Sequence, residues 1–94
     1  MTTYVTFCHV TVEPWAVDVS AAAMETETLT ESGTSQQTSA AAPCNYARVL
    51  SSADIVVRSG SDPTVTTANG LVIKANVPEV VYVGTGNKLA IKTV

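Results

Sequence analysis

Short segments rich in β-branched residues, separated by turn signals, constrain the fold of this chain more than any other feature. Val and Thr supply 15 and 14 of its 94 residues, and both suit a pleated, half-buried strand. The turn signals follow one another too closely for the crossovers that parallel strands require. The pattern therefore predicts one all-β domain: a small antiparallel β-sandwich or jelly-roll-like barrel with a polar hairpin or arm.

The two ends of the chain carry the clearest strand signals. In residues 1–20 we predict two N-terminal strands, Thr3–Val12 and Trp15–Ser20, with a bend at Glu13-Pro14 because proline cannot donate to a strand ladder. Residues 46–94 form a strand-rich core. Its predicted strands are Tyr46–Leu50, Asp54–Arg58, Thr64–Thr67, Leu71–Lys74, Glu79–Val83 and Lys88–Val94.

Residues 21–45 are the most polar part of the chain. Glu25–Thr30 alternates, Glu31–Thr34 resembles a turn, and Ser35–Ser39 follows as a second strand. We interpret the segment as a polar hairpin or arm that a partner orders, because it buries little by itself. A short helix starting at Ser20–Glu25 is the alternative, since alanine has the best helix propensity.

Two glycine-containing segments predict tight turns. Asn69-Gly70 tolerates the positive φ that such turns need. Gly84-Thr85-Gly86 also predicts a turn and not a phosphate loop, because a strand follows it where a phosphate site needs the N-terminus of a helix.

The charge content is low and excludes several classes of function. Only 14% of the residues are charged, the net charge is −3, and the five basic residues are too scattered to neutralise a run of phosphates, so we expect no nucleic-acid partner. No apolar run approaches the roughly 20 residues that cross a bilayer, so we expect no membrane partner. The N-terminus lacks the basic and apolar regions of a secretory signal, which predicts synthesis and use in the cytoplasm.

The chain has two cysteines and one histidine. Cys8 and His9 are neighbours on a predicted strand and point to opposite faces, so they cannot form a nucleophile–base pair. One histidine with two distant cysteines does not have the ligand spacing of a zinc site. We predict that Cys8 and Cys44 are small buried hydrophobes, with a disulfide as the alternative, and that His9 is buried or at an interface.

Carboxylates cluster in the polar segment. Glu25 and Glu27 share one strand face, with Glu31 nearby, and a calcium site is one interpretation of this spacing. Because the loop of known calcium sites is missing, we favour a solvated or subunit-facing acidic stripe. Ser51-Ser52 with Asp54 lacks a nucleophile-elbow pattern. We therefore predict no enzyme, no catalytic residue, no metal ligand and no cofactor.

The candidate functional residues are interface residues. Arg48 and Arg58 stand in apolar strands, and arginine suits fork-like pairing with carboxylates. The alternative is that both are exposed charges that discourage unwanted strand pairing. Carboxylates that could pair with them, within the chain or across subunits, are Glu25, Glu27, Asp54 and Glu79. The predicted interface residues are Trp15, Glu25, Glu27, Arg48 and Arg58.

The C-terminal two-thirds of the sequence also resembles a known group of proteins. The runs that carry the resemblance are Gly33–Ala41, Ala47–Arg58, Asp62–Ala68, Leu71–Val83 and Lys88–Ile91. The turn Asp62–Thr67, followed by Pro78-Glu79, is their most distinctive combination. Together they are similar to small virion structural proteins of tailed bacteriophages, of the capsid decoration, cement or minor head type.

The resemblance implies a function that agrees with the low charge. It implies a capsid decoration or cement protein on the capsid exterior, assembled in the host cytoplasm, that binds the major capsid protein and stabilises the head. A homo-oligomer, trimer or dimer, is expected. The alternatives are a tail, fibre or head–tail junction component, or a receptor- or glycan-binding module in which Trp15, Tyr46 and Tyr82 are stacking platforms.

Overall fold

A computed structural model describes residues 2–12, 15–20 and 23–94, and within them the chain forms nine β-strands and no helix. The strands, in chain order, are β1 Thr2–Val12, β2 Trp15–Asp18, β3 Glu25–Thr30, β4 Gln36–Gln37, β5 Tyr46–Ser51, β6 Ile55–Gly60, β7 Leu71–Ile73, β8 Glu79–Tyr82 and β9 Lys88–Thr93. All pairings are antiparallel, in two sheets of five and four strands. The predicted all-β class with a small sandwich is confirmed.

The first sheet is built around the long strand β1. One edge of β1 pairs with β3 along its first half and with β2 along its second half, while the other edge pairs with β5, which in turn pairs with β8. Val12 lies opposite Trp15 in the antiparallel β1–β2 pair. The predicted bend at Glu13-Pro14 lies outside the described residues.

The second sheet has the order β4-β9-β6-β7 and packs against the first to form the core. Alternate residues of each strand point inward, as the period of a strand requires. The inward side chains that are almost fully buried are Val5, Phe7, Ala47, Val49, Ile55, Val57, Ile73, Leu89 and Ile91. Both sheets therefore contribute to one apolar interior.

Residues 61–70, which we call the covering loop, fold over the outer face of the second sheet. Val65 is 1% exposed and packs on Val56 and Ala90, which lie on that outer face. The predicted strand Thr64–Thr67 is therefore wrong, because these residues cover a sheet and do not extend one.

Gly70 ends the covering loop through close packing and not through a positive φ. A Cβ atom at this position would lie 2.3 Å from the Val57 carbonyl oxygen and 2.8 Å from Val56 Cγ2. The positive φ angles fall instead at Asn76, Gly84 and Gly86. The predicted turn at Gly84–Asn87 is confirmed, whereas the interpretation of Asn69-Gly70 as a positive-φ turn is wrong.

The predicted polar hairpin does not form. Its first strand, β3, pairs with β1 in the first sheet, and its second, β4, pairs with β9 in the second sheet. The segment crosses from one sheet to the other, and Thr38, Ala42 and Cys44 within it are buried. It does not project as an arm, because both of its strands complete sheet edges.

The alternative of a short helix at Ser20–Glu25 falls partly on Ala21 and Ala22, which lie outside the described residues. Ser20 itself is in a turn, and strand β3 begins at Glu25. Within residues 2–12, 15–20 and 23–94 there is no helix long and apolar enough to cross a membrane.

Candidate functional site

The outer face of the first sheet is rich in aromatic side chains. Val5 and Phe7 of β1 and Val49 of β5 point into the core, so the alternate residues of these strands point outward. The strand registers then place Tyr46 beside Tyr82 and Arg48 beside Val80. We call this surface the tyrosine face, and its members are Tyr4, Trp15, Tyr46, Arg48, Val80 and Tyr82.

The tyrosine face is exposed to an unusual degree for apolar side chains on a sheet. Trp15 is 71% exposed, Tyr82 65%, Tyr4 49% and Val80 46%. Isolated exposed hydrophobic residues are normal on a protein surface, but a contiguous group of them marks an interaction site. Nothing in the described residues covers this group.

A groove runs across the tyrosine face. It has a volume of about 350 Å³, and Trp15, Tyr46, Arg48 and Val80 lie along it with parts of β1 and β2. The rings of Tyr46 and Tyr82 meet edge to face, with their centroids 5.5 Å apart and their planes at 88°. This aromatic pair holds both rings in fixed orientations beside the groove.

Arg48 lies among these apolar side chains without a carboxylate partner. It is exposed, and within the described part of the chain it forms no ion pair. Arg48 thus forms no ion pair with Glu25, Glu27, Asp54 or Glu79 of its own chain, and pairing across subunits stays a prediction. An exposed guanidinium ringed by apolar groups can still bind a carboxylate from another molecule.

Arg58, the second predicted arginine, lies on the other sheet. Its Nη1 donates a hydrogen bond to the Asn69 carbonyl at 2.8 Å, which holds the end of the covering loop. Asp54 instead pairs with Lys74 at 3.4 Å, and a hydrogen bond from the Ala75 N–H holds the pKa of Asp54 below its ordinary value. Arg58 therefore has a structural contact where the sequence predicted a carboxylate.

Glu25 and Glu27 lie on the opposite face of the first sheet from Arg48. Together with Phe7 and Ser39 they line a small recess between β3 and residues 31–45, which cross from the first sheet to the second and which we call the crossover segment. The Glu27 carboxylate accepts hydrogen bonds from the Ser39 N–H at 2.7 Å and from its hydroxyl at 2.8 Å. The structure therefore brings Trp15 and Arg48 together, but places Glu25, Glu27 and Arg58 elsewhere.

Glu31, which was predicted to lie near a solvated or subunit-facing acidic stripe, is a buried carboxylate. It is 7% exposed and lies where the crossover segment leaves the first sheet. One carboxylate oxygen accepts from the hydroxyls of Thr3 at 3.1 Å and Ser51 at 2.9 Å, and from the Ser52 N–H at 2.9 Å and hydroxyl at 3.0 Å. Through these hydrogen bonds Glu31 links the start of the crossover segment to β1 and to the end of β5.

The same donors set the acidity of Glu31. Burial by itself would raise the pKa of this carboxyl, but the hydrogen bonds from Ser51, Ser52 and Thr3 outweigh it and hold the pKa below its ordinary value. Glu31 is therefore ionised at neutral pH, and no cation among the described residues forms an ion pair with it. Ser51 and Ser52, which lack a nucleophile-elbow pattern, serve as donors to this carboxylate.

The cysteines are buried, as predicted. Cys8 is 0% exposed and Cys44 1%, both are free thiols, and burial raises the pKa of each above its ordinary value. His9 is exposed on β1 opposite Asp18, so a buried histidine is wrong. Among the described residues, no three His, Cys, Asp or Glu side chains are grouped so as to hold a metal ion.

The chain was also compared with known proteins. No family model, no curated protein and no solved structure matches it. The tyrosine face is therefore interpreted from its own geometry.

Proposed function

We propose that this chain is a capsid decoration or cement protein of the tailed-phage type, which binds the major capsid protein through the tyrosine face. The observation that carries the proposal is the exposed group of Trp15, Tyr82 and Val80 around Arg48, which forms no ion pair within the described residues. Aromatic residues and arginine dominate binding energy at protein interfaces, especially where they sit beside a pocket.

The rest of the molecule agrees with a structural role. A protein that reinforces a shell must add buried area between subunits, and a rigid two-sheet sandwich provides a firm platform for it. The low charge weakens repulsion between neighbouring copies on the shell. The resemblance of residues 33–94 to small virion proteins supports the same function.

The direct test mixes the purified chain with undecorated heads of its phage. We expect the chain to bind and to raise the temperature at which the heads rupture. Trp15→Ala and Arg48→Ala should each weaken binding by about tenfold or more. Lys92→Ala is the control, because this basic residue lies opposite Val56 on the outer face of the second sheet.

Three outcomes would contradict the proposal. They are heads that do not bind the chain, heads that bind it without any gain in thermal resistance, and equal loss of binding in Arg48→Ala and Lys92→Ala. Electron microscopy of virions with a labelled chain distinguishes a capsid protein from a tail or head–tail junction component. A capsid protein would be found over the shell, and a tail or junction component along the tail or at one vertex.

A second candidate, glycan binding, is favoured by one observation. Trp15 and Tyr46 line the same groove, so two aromatic rings border a space of about 350 Å³. Rings beside a concave site provide apolar stacking surfaces with a polar edge. A glycan array probed with the labelled chain tests this candidate. Glycan binding would be excluded if the chain bound no glycan on the array, or if Trp15→Ala bound the same glycans equally well.

A further inference from the structure

Strand β8 is an edge strand with unpaired backbone groups. It pairs only with β5, and the Val83 N–H donates to the Asn45 carbonyl on that side. Because successive N–H groups of a strand point to opposite edges, the N–H and C=O groups of Val80 and Tyr82 point away from β5. No other strand in the described residues pairs with them.

Space for another strand is present beside β8. A groove of about 360 Å³ runs along Val80, Val81 and Tyr82, with Leu71 and Arg58 on its far side. The side chains of Val80 and Tyr82 are 46% and 65% exposed. An added strand would therefore bury apolar side chains as well as satisfy backbone groups.

The two edges of the second sheet are protected in ways that β8 is not. β4 has only two residues, and β7 has three and is followed by Lys74. Edge strands usually avoid pairing in trans by being short or by carrying lysine, proline or inward-pointing charge. Within Glu79–Tyr82 there is no lysine, arginine or proline, and the single acid is at its start.

We propose that two copies of this chain form a dimer by antiparallel pairing of their β8 strands. The twofold axis passes beside Val81, so that Val80 of each copy lies opposite Tyr82 of the other. In this register the outward N–H groups of both residues donate to the outward C=O groups of the other copy. Each copy thereby pairs every outward-pointing backbone group of Val80 and Tyr82.

The neighbouring registers are worse for a reason visible in the sequence. A shift in one direction places Tyr82 opposite Pro78, which has no N–H to donate. A shift in the other direction places Val80 opposite Gly84, whose N–H already donates to the Asn45 carbonyl. Only the register centred on Val81 leaves no outward group of Val80 or Tyr82 unpaired.

The occupant that fits best is a second copy of this chain and not an unrelated strand. The pairing is self-complementary: a β-branched residue meets an aromatic one on both sides of the axis, a favourable cross-strand pair. Glu79 lies opposite Val83, so the pairing brings no like charges into direct opposition. The two tyrosine faces then join into one surface, because Val80 and Tyr82 belong to both.

The test measures the oligomeric state of the full chain by sedimentation over a wide range of concentrations. We expect a monomer–dimer equilibrium that Val80→Lys weakens by about tenfold or more, because an edge lysine opposes pairing. Val80→Pro should act in the same direction by removing an outward N–H. Val72→Lys is the matched control, since this exposed valine lies on the edge strand of the other sheet.

Hydrogen exchange supplies a second readout. We expect the amides of Val80 and Tyr82 to be protected at concentrations that favour the dimer and to exchange quickly on dilution. A chain that is monomeric at all concentrations, one that forms trimers, or a dimer unaffected by both Val80 variants would overturn the proposal. Because no capsid is present in these measurements, their outcome is independent of whether the chain binds heads.

Discussion

The outer faces of the two sheets differ in how their apolar side chains are covered. Each bears apolar side chains that an isolated sheet would leave in water. The covering loop buries Val56 and Ala90 beneath Val65 on the second sheet. On the first sheet Val80 and Tyr82 stay exposed with no such cover among the described residues. The second sheet leaves Val72 exposed at its edge but covers its centre, whereas the first sheet leaves its apolar group uncovered, and this difference supports the proposed binding role of the tyrosine face.

The two strand arginines repeat this difference on a smaller scale. Arg58 donates to the carbonyl of Asn69 and so fixes the covering loop. Arg48 is the corresponding cation on the tyrosine face and has no ion-pair partner among the described residues. One arginine completes the fold, whereas the other is available for binding.

The largest effect is expected where the covering loop approaches its sheet most closely. Gly70→Ala would place a Cβ 2.3 Å from the Val57 carbonyl, so the loop or strand β6 must shift. We expect the free energy of unfolding to fall by about 3 kcal/mol, as measured by urea denaturation. Gly33→Ala is the control, because no atom lies within 4 Å of its Cβ position. Equal stability of the two variants would show that the loop is not packed as described.

A second prediction concerns the junction of the two sheets and tests whether both faces belong to one cooperative fold. The pKa of Glu31 is lower in the folded chain than in the unfolded chain, so its ionised carboxylate stabilises the fold. This stabilisation is fully present above the ordinary carboxyl pKa and is lost as the pH falls through the pKa of Glu31 in the folded chain. Glu31→Gln should cost about 2 kcal/mol at pH 7, and the difference from the parent chain should vanish in acid.

The readouts for this prediction report on the two faces separately. Trp15, the only tryptophan, reports by fluorescence on the first sheet, and hydrogen exchange at Val65 reports on the covering loop. Both signals should change at the same pH. A covering loop that detaches in acid while Trp15 keeps its environment would separate the faces into independent units.

A third prediction compares one valine from each outer face. Val65→Ala removes two methyl groups from under the covering loop and should lower the free energy of unfolding by about 1.5 kcal/mol. Val80→Ala makes the same change on the exposed face and should alter it by less than about 0.5 kcal/mol in the monomer. Urea denaturation measures both changes in the free energy of unfolding, at a protein concentration too low for the proposed dimer to form. If Val80→Ala destabilised the monomer as much as Val65→Ala, the tyrosine face would be part of the core.

The strands were predictable wherever local alternation determines them. β3 was predicted with the bounds that the structure shows, and β5 and β9 within one residue, because β-branched residues and turn signals mark them directly. Thr64–Thr67 has the same composition but covers a sheet. Composition cannot distinguish a segment that pairs in a ladder from one that packs on a face, since both bury the same side chains.

Strand partners and the candidate site depend on long-range register, which local patterns do not contain. β3 and β4 are close in sequence and polar, so the sequence favours a hairpin. In the structure β3 pairs with β1 at the beginning of the chain, and β4 pairs with β9 at its end. Trp15 and Arg48 were predicted as interface residues and do lie together. Val80 joins them only through its register opposite Arg48.

The smallest expected effect separates the two arginines by stability. Arg58→Ala removes the hydrogen bond to the Asn69 carbonyl and should lower the free energy of unfolding by about 0.5–1 kcal/mol, with faster hydrogen exchange in the covering loop. Arg48→Ala should leave stability within about 0.3 kcal/mol, because it breaks no ion pair in the described structure. Thermal denaturation of both variants beside the parent chain resolves this difference. A substantial loss of stability in Arg48→Ala would mean that the residue serves the fold and not a partner.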